Sequence, residues 1–404
     1  MLFLRIAWIV GQAGIGTTIA IIFLSGVVCV ITALSLSAIC TNGVLQGGGV
    51  YYIVSRSLGA ELGASVGIIF AFANSVAASM NTIGFCESLN ALLKSNGLKI
   101  IDNDVNDVRI VGAIALLVMC VICAIGMDWE TKTQNILIII IVVAIFNYII
   151  GVFVGPLNDT AKAQGFVGIS LENAKKNFGT DFRYDENQYH DFFSVFAMYF
   201  PAVTGVQAGA NICGDLKDPA TAIPKGTLLA LGISMTSYLV MAVLCGMAAL
   251  RDASGSAADL VTGNLHACKP NCPYGLHNDY ARGNLRGMLG CNAVHCTDQF
   301  ALRAAPRSGA GHRPYLSWTN LLLQALRQTR RAVPGICPHL YPDLNAIAPL
   351  ITNFYLASYA LINFCTFHAA FYYNIWLSLL GFLMCAAIMI VISWITAGKL
   401  GQQH

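Results

Sequence analysis

Charged residues are scarce in this sequence, making up 11% of its 404 residues, whereas soluble domains carry roughly 25%. Hydrophobic residues make up 56%, and the mean hydropathy is +0.65. A soluble core stops growing beyond about 250 to 300 residues, yet apolar runs long enough to cross a bilayer recur along most of this chain. The composition excludes a soluble globule and predicts an all-α polytopic membrane protein.

The sequence also lacks the motifs that carry enzyme chemistry. It has no phosphate-binding loop, no His/Cys cluster with metal spacing and no nucleophile–base constellation. We therefore expect no enzymatic activity, no cofactor, no resident metal and no nucleic-acid partner. Most of the 14 cysteines lie in apolar runs, where a free thiol behaves as a small hydrophobe. Cys268 and Cys272 share a polar loop, for which a disulfide bond and two free thiols both stay open.

Apolar runs with polar ends predict a short initial helix and about eight membrane helices. The predicted ranges are Met1–Val10, Thr17–Ile39, Ala64–Leu93, Val108–Met127, Asn135–Val154, Phe192–Cys213, Gly226–Leu250, Ile347–His368 and Trp376–Thr396. The Gly-rich stretch 47–59 between two of these helices is interpreted as either a gate or a tight loop.

One apolar run contains a helix-breaking pair near its middle, where Pro201 and Gly205 flank Thr204 in the string FPAVTGVQ. Proline removes a backbone donor and clashes with the preceding turn, and glycine permits left-handed backbone. A break at membrane depth exposes carbonyls that can coordinate a cation and N–H groups that attract an anion. The residues alone leave open an ion-binding break and a plain proline kink.

Arg5 and Glu87 are the clearest cases of charged residues within apolar runs. Charges inside a membrane are costly and indicate function by default. They either pair with each other or extend from helix ends to water.

Residues 281–340 break the apolar pattern. They contain eight of the thirteen arginines, no lysine and Asp298 as their one acidic residue. The stretch has neither the period of a membrane helix nor the composition of a compact polar domain.

Residues 192–230, FFSVFAMYFPAVTGVQAGANICGDLKDPATAIPKGTLLA, resemble the sixth helix and following loop of the cation–chloride cotransporters, solute carrier family 12, and best fit their sodium-coupled branch. Four further stretches are similar to the same family: LRIAWIVGQAGIG, TNGVLQGGGVYYIVSRSLGAELG, FAFANSVAASMNTIGFCES and LNAIAPLITNFYLASYALINFCTFHA. The resemblance implies an inverted-repeat transporter fold of the amino-acid-permease type. In that fold the first and sixth helices are discontinuous and ions bind at mid-membrane.

The resemblance also implies roles for individual residues. Matching positions make Asn81, Pro201 and Thr204 potassium ligands, and Arg5 and Glu87 the pair that closes the extracellular gate. Chloride-binding positions are Met1, Gly205, Val206, Gln207 and Tyr359, of which Gly205, Val206 and Gln207 act through backbone N–H groups and Tyr359 through its hydroxyl.

The sequence departs from the family in several places. Asn81 stands where the family usually has Tyr or His, which puts potassium coupling in doubt. The inner half of the first helix and the long regulatory termini are missing, so the fold is expected to be incomplete. Read one base later, residues 281–340 can encode strings similar to the family's eighth helix and the following loop. We therefore interpret 281–340 as out-of-frame translation that replaces helices eight and nine.

That interpretation divides the chain into residues 1–280 with helices one to seven, residues 281–340, and residues 341–404 with helices ten and eleven and a truncated end. No sodium ligand is assignable, because the shifted segment replaces the turn that binds sodium in the family. The expected function is electroneutral cotransport of Na⁺ and Cl⁻, with K⁺, by alternating access at the plasma membrane. The chain as written is expected to be inactive, and a homodimer is a further expectation. The alternatives are an amino-acid permease of the same fold and a non-transporting fragment from a faulty gene model.

Overall fold

The computed structural model describes residues 2–41, 49–61, 63–64, 145–185, 188–207, 218–262, 344–369 and 375–400, together with selected positions between 67 and 143 and positions 268, 272 and 275–277. Residues 281–340, and with them the frame interpretation, lie outside the described residues.

The first element, α1 (Leu2–Thr41), joins the two helices predicted at the start of the chain. Its one non-helical position is Gly14, with φ 71° and ψ 168°. The two predicted helices thus form one element, in which a single left-handed glycine makes the break. Residues 177–183, named here the clasp, bond the freed backbone: Ile15 N donates to Asn177 O at 2.9 Å, and Gly16 N donates to Phe178 O at 3.1 Å.

The next part of the chain is helical wherever it is described. The Gly-rich stretch continues into helix α2 (Gly49–Leu58), so its interpretation as a tight loop is wrong for those residues. Every described position within 64–93 and 108–127 is helical, in agreement with the two helices predicted there. The run predicted to end at Val154 does so, as α3 (Ile145–Val154).

A polar connection separates α3 from the broken helix. It contains α4 (Asp159–Ala163), α5 (Leu171–Lys176) and a two-stranded antiparallel hairpin of β1 (Tyr184–Asp185) and β2 (Gln188–Tyr189). Ser170 caps α5, because its hydroxyl accepts from Asn173 N. The connection ends at Asp191, whose carboxylate accepts from Ser194 N at 2.7 Å and caps the next helix.

The remaining elements are mostly long and apolar. They are α6 (Phe192–Tyr199) with a 3₁₀ turn (Phe200–Val203), α7 (Pro219–Ala248), α8 (Ala257–Thr262), α9 (Leu344–Ala369) and α10 (Ile375–Leu400). Helix α7 begins seven residues earlier than the predicted Gly226, because Pro219 fits the first helical turn, where no N–H partner is needed.

Four helices among the described residues are long and apolar enough to cross a membrane: Arg5–Thr41, Ala220–Ala248, Ala348–His368 and Trp376–Thr396. Helix α1 packs against α6, α7, α9 and α10, so it forms the centre of the described bundle. Buried side chains of all five helices share one apolar core.

Polar side chains fix the position of α9 against α1. Asn363 Nδ2 donates to Thr32 Oγ1 at 3.1 Å, and Thr366 Oγ1 donates to Ser35 O at 3.1 Å. All four residues are buried. These bonds hold α9 so that Tyr359, about one turn before Asn363, faces the break in the α6 region.

Candidate functional site

The break predicted after α6 is present in the structure. The helix tightens into the 3₁₀ turn Phe200–Val203, Thr204 is extended with φ −74° and ψ 157°, and Gly205 has φ 114°. Only glycine adopts that last conformation without strain. Pro201 lies at the start of the 3₁₀ turn, where its missing N–H costs nothing. The local sequence thus produces a break rather than a proline kink in a continuous helix.

Three successive carbonyls of the break accept side-chain hydrogen bonds. Pro201 O accepts from Thr204 Oγ1 at 2.7 Å. Ala202 O accepts from Tyr238 Oη of α7 at 3.2 Å, and Val203 O accepts from Cys29 Sγ of α1 at 3.5 Å. Backbone exposed at membrane depth is tolerated when it is satisfied in this way or lines a cavity. The two expected cation ligands, Pro201 O and Thr204 Oγ1, therefore lie side by side.

On the far side of the break, backbone donors meet a buried hydroxyl. Gly205 N donates to Tyr359 Oη at 3.2 Å, and the backbone N–H of Val206 interacts with the same hydroxyl. Tyr359 is fully buried, and its ring lies edge-on to Phe200 with centroids 6.1 Å apart. Two N–H groups that converge on one oxygen form a concavity suited to an anion.

Gln207 follows Gly205 and Val206 along the chain on this side of the break. The residue is 2% exposed. Neither Nε2 nor Oε1 has a hydrogen-bond partner within the described structure.

The structure thus brings Pro201, Thr204, Gly205, Val206 and Tyr359 to one place. Met1, Asn81 and Glu87 lie outside the described residues, so their expected roles as second chloride site, potassium ligand and gate partner remain predictions. Arg5 is 5% exposed, and that burial argues against an extended side chain reaching water.

Sequence reasoning missed Cys29, Tyr238 and Tyr355, which line the same break. Tyr355 interacts with Thr204 and lies one helical turn before Tyr359 on α9. That spacing of four was a usable signal, because residues four apart share a helix face. Cys29 and Tyr238 gave no signal, since each sits in an apolar run and only long-range packing brings it to the break.

A second polar feature lies in the connections next to α1. Five charged or titratable side chains, named here the charge cluster, meet there: Asp181, Arg183, Arg251, Asp252 and His277. The Arg183 guanidinium forms two bonds to the buried Asp252 carboxylate, at 2.6 and 2.9 Å, and one to Asp181 at 2.6 Å. Paired geometry of this kind is the strong form of an ion pair.

Burial and charge shift the pKa values of the cluster. The hydrogen bond to Asp252 raises the pKa of Arg183 above its usual value. Partial burial raises the pKa of Asp181, but the bond and charge of Arg183 outweigh it and hold that pKa below its usual range. Burial, and then the charge of Arg183, lower the pKa of His277 to about 4. His277 is therefore neutral in the folded protein at neutral pH.

The charge cluster is joined to α1 through the clasp. Gln12 O accepts from Asp181 N at 2.9 Å, and Gln12 Oε1 accepts from Arg183 N at 2.8 Å. Asn177 Nδ2 donates to Gly246 O at 2.7 Å and to Ala249 O at 2.9 Å, so the clasp also holds the end of α7. Trp8 Nε1 donates to Asp185 Oδ2 at 2.8 Å. The first part of α1 is thus fixed to the polar connections by several independent bonds.

The neutral state of His277 predicts a pH-dependent stability. Between pH 6.5 and about 4, His277 is protonated in the unfolded chain but not in the folded protein. The free energy of unfolding should therefore fall as the pH is lowered through this window, by about 3 kcal/mol in total. The pKa of Asp181 lies below its usual range, so Asp181 does not contribute to this fall in the free energy of unfolding. We expect His277→Asn to make the free energy of unfolding less dependent on pH in this window.

The measurement is the melting temperature of the detergent-solubilised chain between pH 7 and pH 4. The exposed His368 offers a matched control, because His368→Asn leaves the charge cluster intact and should keep the parent slope. Equal slopes for the parent and His277→Asn would contradict the assignment.

The cysteines follow two patterns. Cys268 and Cys272 are joined by a disulfide bond, with their Cα atoms 4.9 Å apart. The described free thiols are all buried: Cys29, Cys40, Cys86, Cys245, Cys365 and Cys385. This agrees with the interpretation of cysteines in apolar runs as small hydrophobes.

Comparison with known proteins identifies the family. Residues 1–282 match the family described as amino acid permease. The chain belongs to that family. It is 54% identical to a bumetanide-sensitive sodium-(potassium)-chloride cotransporter of Manduca sexta, over 98% of this chain and 41% of that protein. It is also 42% identical to human solute carrier family 12 member 2, over 98% of this chain and 36% of that protein, and 40% identical to rabbit member 1, over 98% and 39%.

These matches confirm the resemblance to the cation–chloride cotransporters, and the relatives are transporters rather than enzymes, as expected. The chain spans about two fifths of the length of these relatives.

Proposed function

We propose that this chain derives from a secondary active transporter that moves Na⁺ and Cl⁻, with K⁺, by alternating access. The observation that carries the proposal is the break, where the N–H of Gly205 donates to the Tyr359 hydroxyl of α9 and the N–H of Val206 interacts with the same group. The cotransporter relatives support the same ion classes. The proposal includes electroneutral coupling of the ions, location in the plasma membrane and assembly as a homodimer.

The anion step follows from hydrogen-bond roles. Tyr359 Oη accepts from the N–H of Gly205 and interacts with the N–H of Val206, so the phenol oxygen lies where these donors would hold an anion. Chloride accepts hydrogen bonds only. On its arrival the two N–H groups turn to the ion, and the Tyr359 O–H becomes a third donor to it. Neutral donors of this kind hold an anion at the broken end of a helix.

The cation step uses the opposite side of the break. Pro201 O and Thr204 Oγ1 are adjacent neutral oxygens, which suit K⁺, a cation that sheds its hydration shell for carbonyl and hydroxyl ligands. Asn81 would add a side-chain oxygen. Placing a cation and an anion a few residues apart lets each reduce the cost of bringing the other into the membrane. That mutual dependence is the physical basis of cotransport.

The gate and a second chloride site complete the proposal. Arg5 and Glu87 would close the extracellular path as an ion pair, and Met1 would lie at a further chloride site. The burial of Arg5 supports a partner within the protein.

Sodium coupling depends on residues 281–340. We propose that this segment is out of frame, that residues 1–280 and 341–404 are the parts with family structure, and that the chain as written does not transport. The aligned stretch with the Manduca sexta relative has 433 positions, 29 more than the 404 residues of this chain, so positions of the relative are missing here. Sequencing the transcript across the codons for Tyr280–Tyr341 tests this. A continuous frame that restores the family's eighth helix would assign transport to the gene and make the segment an artefact, whereas a transcript that carries the shifted frame would mean a truncated product without transport.

Uptake of radioactive sodium and rubidium tests the function. Cells that express the full-length gene product with a restored reading frame should show several-fold more uptake in chloride than in gluconate. Cells that express the chain as written should show the same uptake as cells that express neither protein. Uptake that ignores chloride but falls when amino acids are added would instead support an amino-acid permease.

A further inference from the structure

Gln207 is distinguished by a buried amide that is unpaired at both ends. The residue is 2% exposed, and neither Nε2 nor Oε1 has a hydrogen-bond partner. Within the described part of the chain, no other side chain has two buried polar atoms in this state. Ser25 and Asn363 each leave one oxygen unpaired, and Asn363 is bonded through its nitrogen. Unpaired buried amides are rare because each lost hydrogen bond costs free energy.

The position of Gln207 indicates what could pair with it. It lies two residues after Gly205, whose N–H points at the Tyr359 hydroxyl, in the stretch where the chain turns after the break. Gly205 is exposed although Val203 and Val206 are buried, and a Cβ added to it would meet no atom of the described residues within 4 Å. With respect to the described part of the chain the break is thus open at Gly205, and the unpaired amide belongs to the same short segment.

The chemistry of this segment favours an anion as the partner. The backbone groups nearest to Gln207 in sequence, at Gly205 and Val206, are donors. The acceptors of the break, Pro201 O to Val203 O, come before Gly205 and already receive side-chain hydrogen bonds. An amide nitrogen carries two N–H donors. It would extend a set of donors that an anion can bridge.

We propose that Gln207 Nε2 donates a hydrogen bond to the anion held at Gly205 and Tyr359, which makes the Gln207 side chain a determinant of chloride affinity. This inference rests on the proposed function, since it adds a side-chain donor to the proposed chloride site. It differs from the expectation drawn from the family resemblance, in which Gln207 contributes only its backbone N–H.

The test uses the purified full chain and does not require transport. Thermal unfolding is followed by tryptophan fluorescence over a chloride series, with gluconate keeping the ionic strength constant and N-methylglucamine as the cation. A ligand that binds only the folded state raises the melting temperature with its concentration. The half-effective chloride concentration then measures the affinity of the site.

Gln207→Met keeps the length of the side chain and the backbone N–H but removes the donor. We expect it to need about tenfold more chloride for the same stabilisation, the loss typical of one hydrogen bond to an ion. Gln207→Asn keeps an amide on a shorter side chain. The chloride concentration that it needs should lie between those of the parent and Gln207→Met. Gln207→Glu places a carboxylate at the anion and should abolish the chloride response.

The outcomes separate the two proposals. A chloride response in the parent that Gln207→Met leaves within twofold would overturn the role of the side chain and leave the backbone site in place. A parent without any chloride response would overturn the chloride site itself. If Gln207→Met does not unfold cooperatively, the comparison of Gln207→Asn with Gln207→Glu decides, because equal chloride responses in these two would also overturn the inference.

Discussion

Replacing Tyr359 with Phe should raise the chloride concentration for half-maximal uptake by about ten- to a hundredfold in the frame-restored transporter. The variant removes one hydrogen-bond donor to an ion, which is worth about 1.5 to 3 kcal/mol, and each 1.4 kcal/mol changes affinity about tenfold. It keeps the ring, so the contact with Phe200 stays and the core should not change. The sodium concentration for half-maximal uptake should change much less.

Tyr148→Phe is the matched control for this experiment. Tyr148 is also a buried tyrosine, but its hydroxyl contacts Cys245 rather than the break. Its chloride dependence should equal that of the parent. If Tyr359→Phe and Tyr148→Phe both keep the parent chloride dependence, the hydroxyl does not bind the anion.

Replacing Gly14 with Ala should prevent the protein from folding. Gly14 has φ 71°, and a Cβ there would collide with Gly179 O, a backbone atom rather than the end of a flexible side chain. Left-handed backbone costs a residue with a side chain about 1 to 2 kcal/mol, and the clash would also displace the clasp. Together these effects should exceed about 4 kcal/mol, in the range reached only by the most damaging substitutions.

Size-exclusion profiles of fluorescently tagged protein in detergent measure this effect. Gly232→Ala is the control, because Gly232 lies within α7 and a Cβ there meets nothing within 4 Å. Alanine is the better helix former, so the control should be neutral or slightly stabilising. A monodisperse Gly14→Ala protein with the parent melting temperature would contradict the described contact between α1 and the clasp.

The regions around Tyr359 and Gly14 differ in how far they can be predicted from sequence. The break could be predicted, because Pro201 and Gly205 act locally on the backbone of an otherwise apolar run. The helical character of the apolar runs could also be predicted, because the hydrophobic length of a run is a local property, although the first two predicted helices form one element. The end of the first helix could not, because the left-handed turn at Gly14 is stabilised by Gly179 and its neighbours, which are far away in sequence.

The site required more than local patterns. Tyr359 lies 154 residues from Gly205, and only the family resemblance linked the two before the fold was known. The charge cluster had no sequence signal, because Arg183 and Asp252 are ordinary loop residues until the fold pairs them. The unpaired amide of Gln207 is visible only once burial is known.

The most direct test of the central claim is a crystal structure of the frame-restored protein grown in bromide. Bromide replaces chloride chemically and is located by its anomalous scattering. We expect one anomalous peak in the break, within hydrogen-bonding reach of Gly205 N and Tyr359 Oη, with the bond between those two atoms opened to admit the ion. A break without a peak, in which Gly205 N still donates to Tyr359 Oη, would contradict the claim that this break is the anion site.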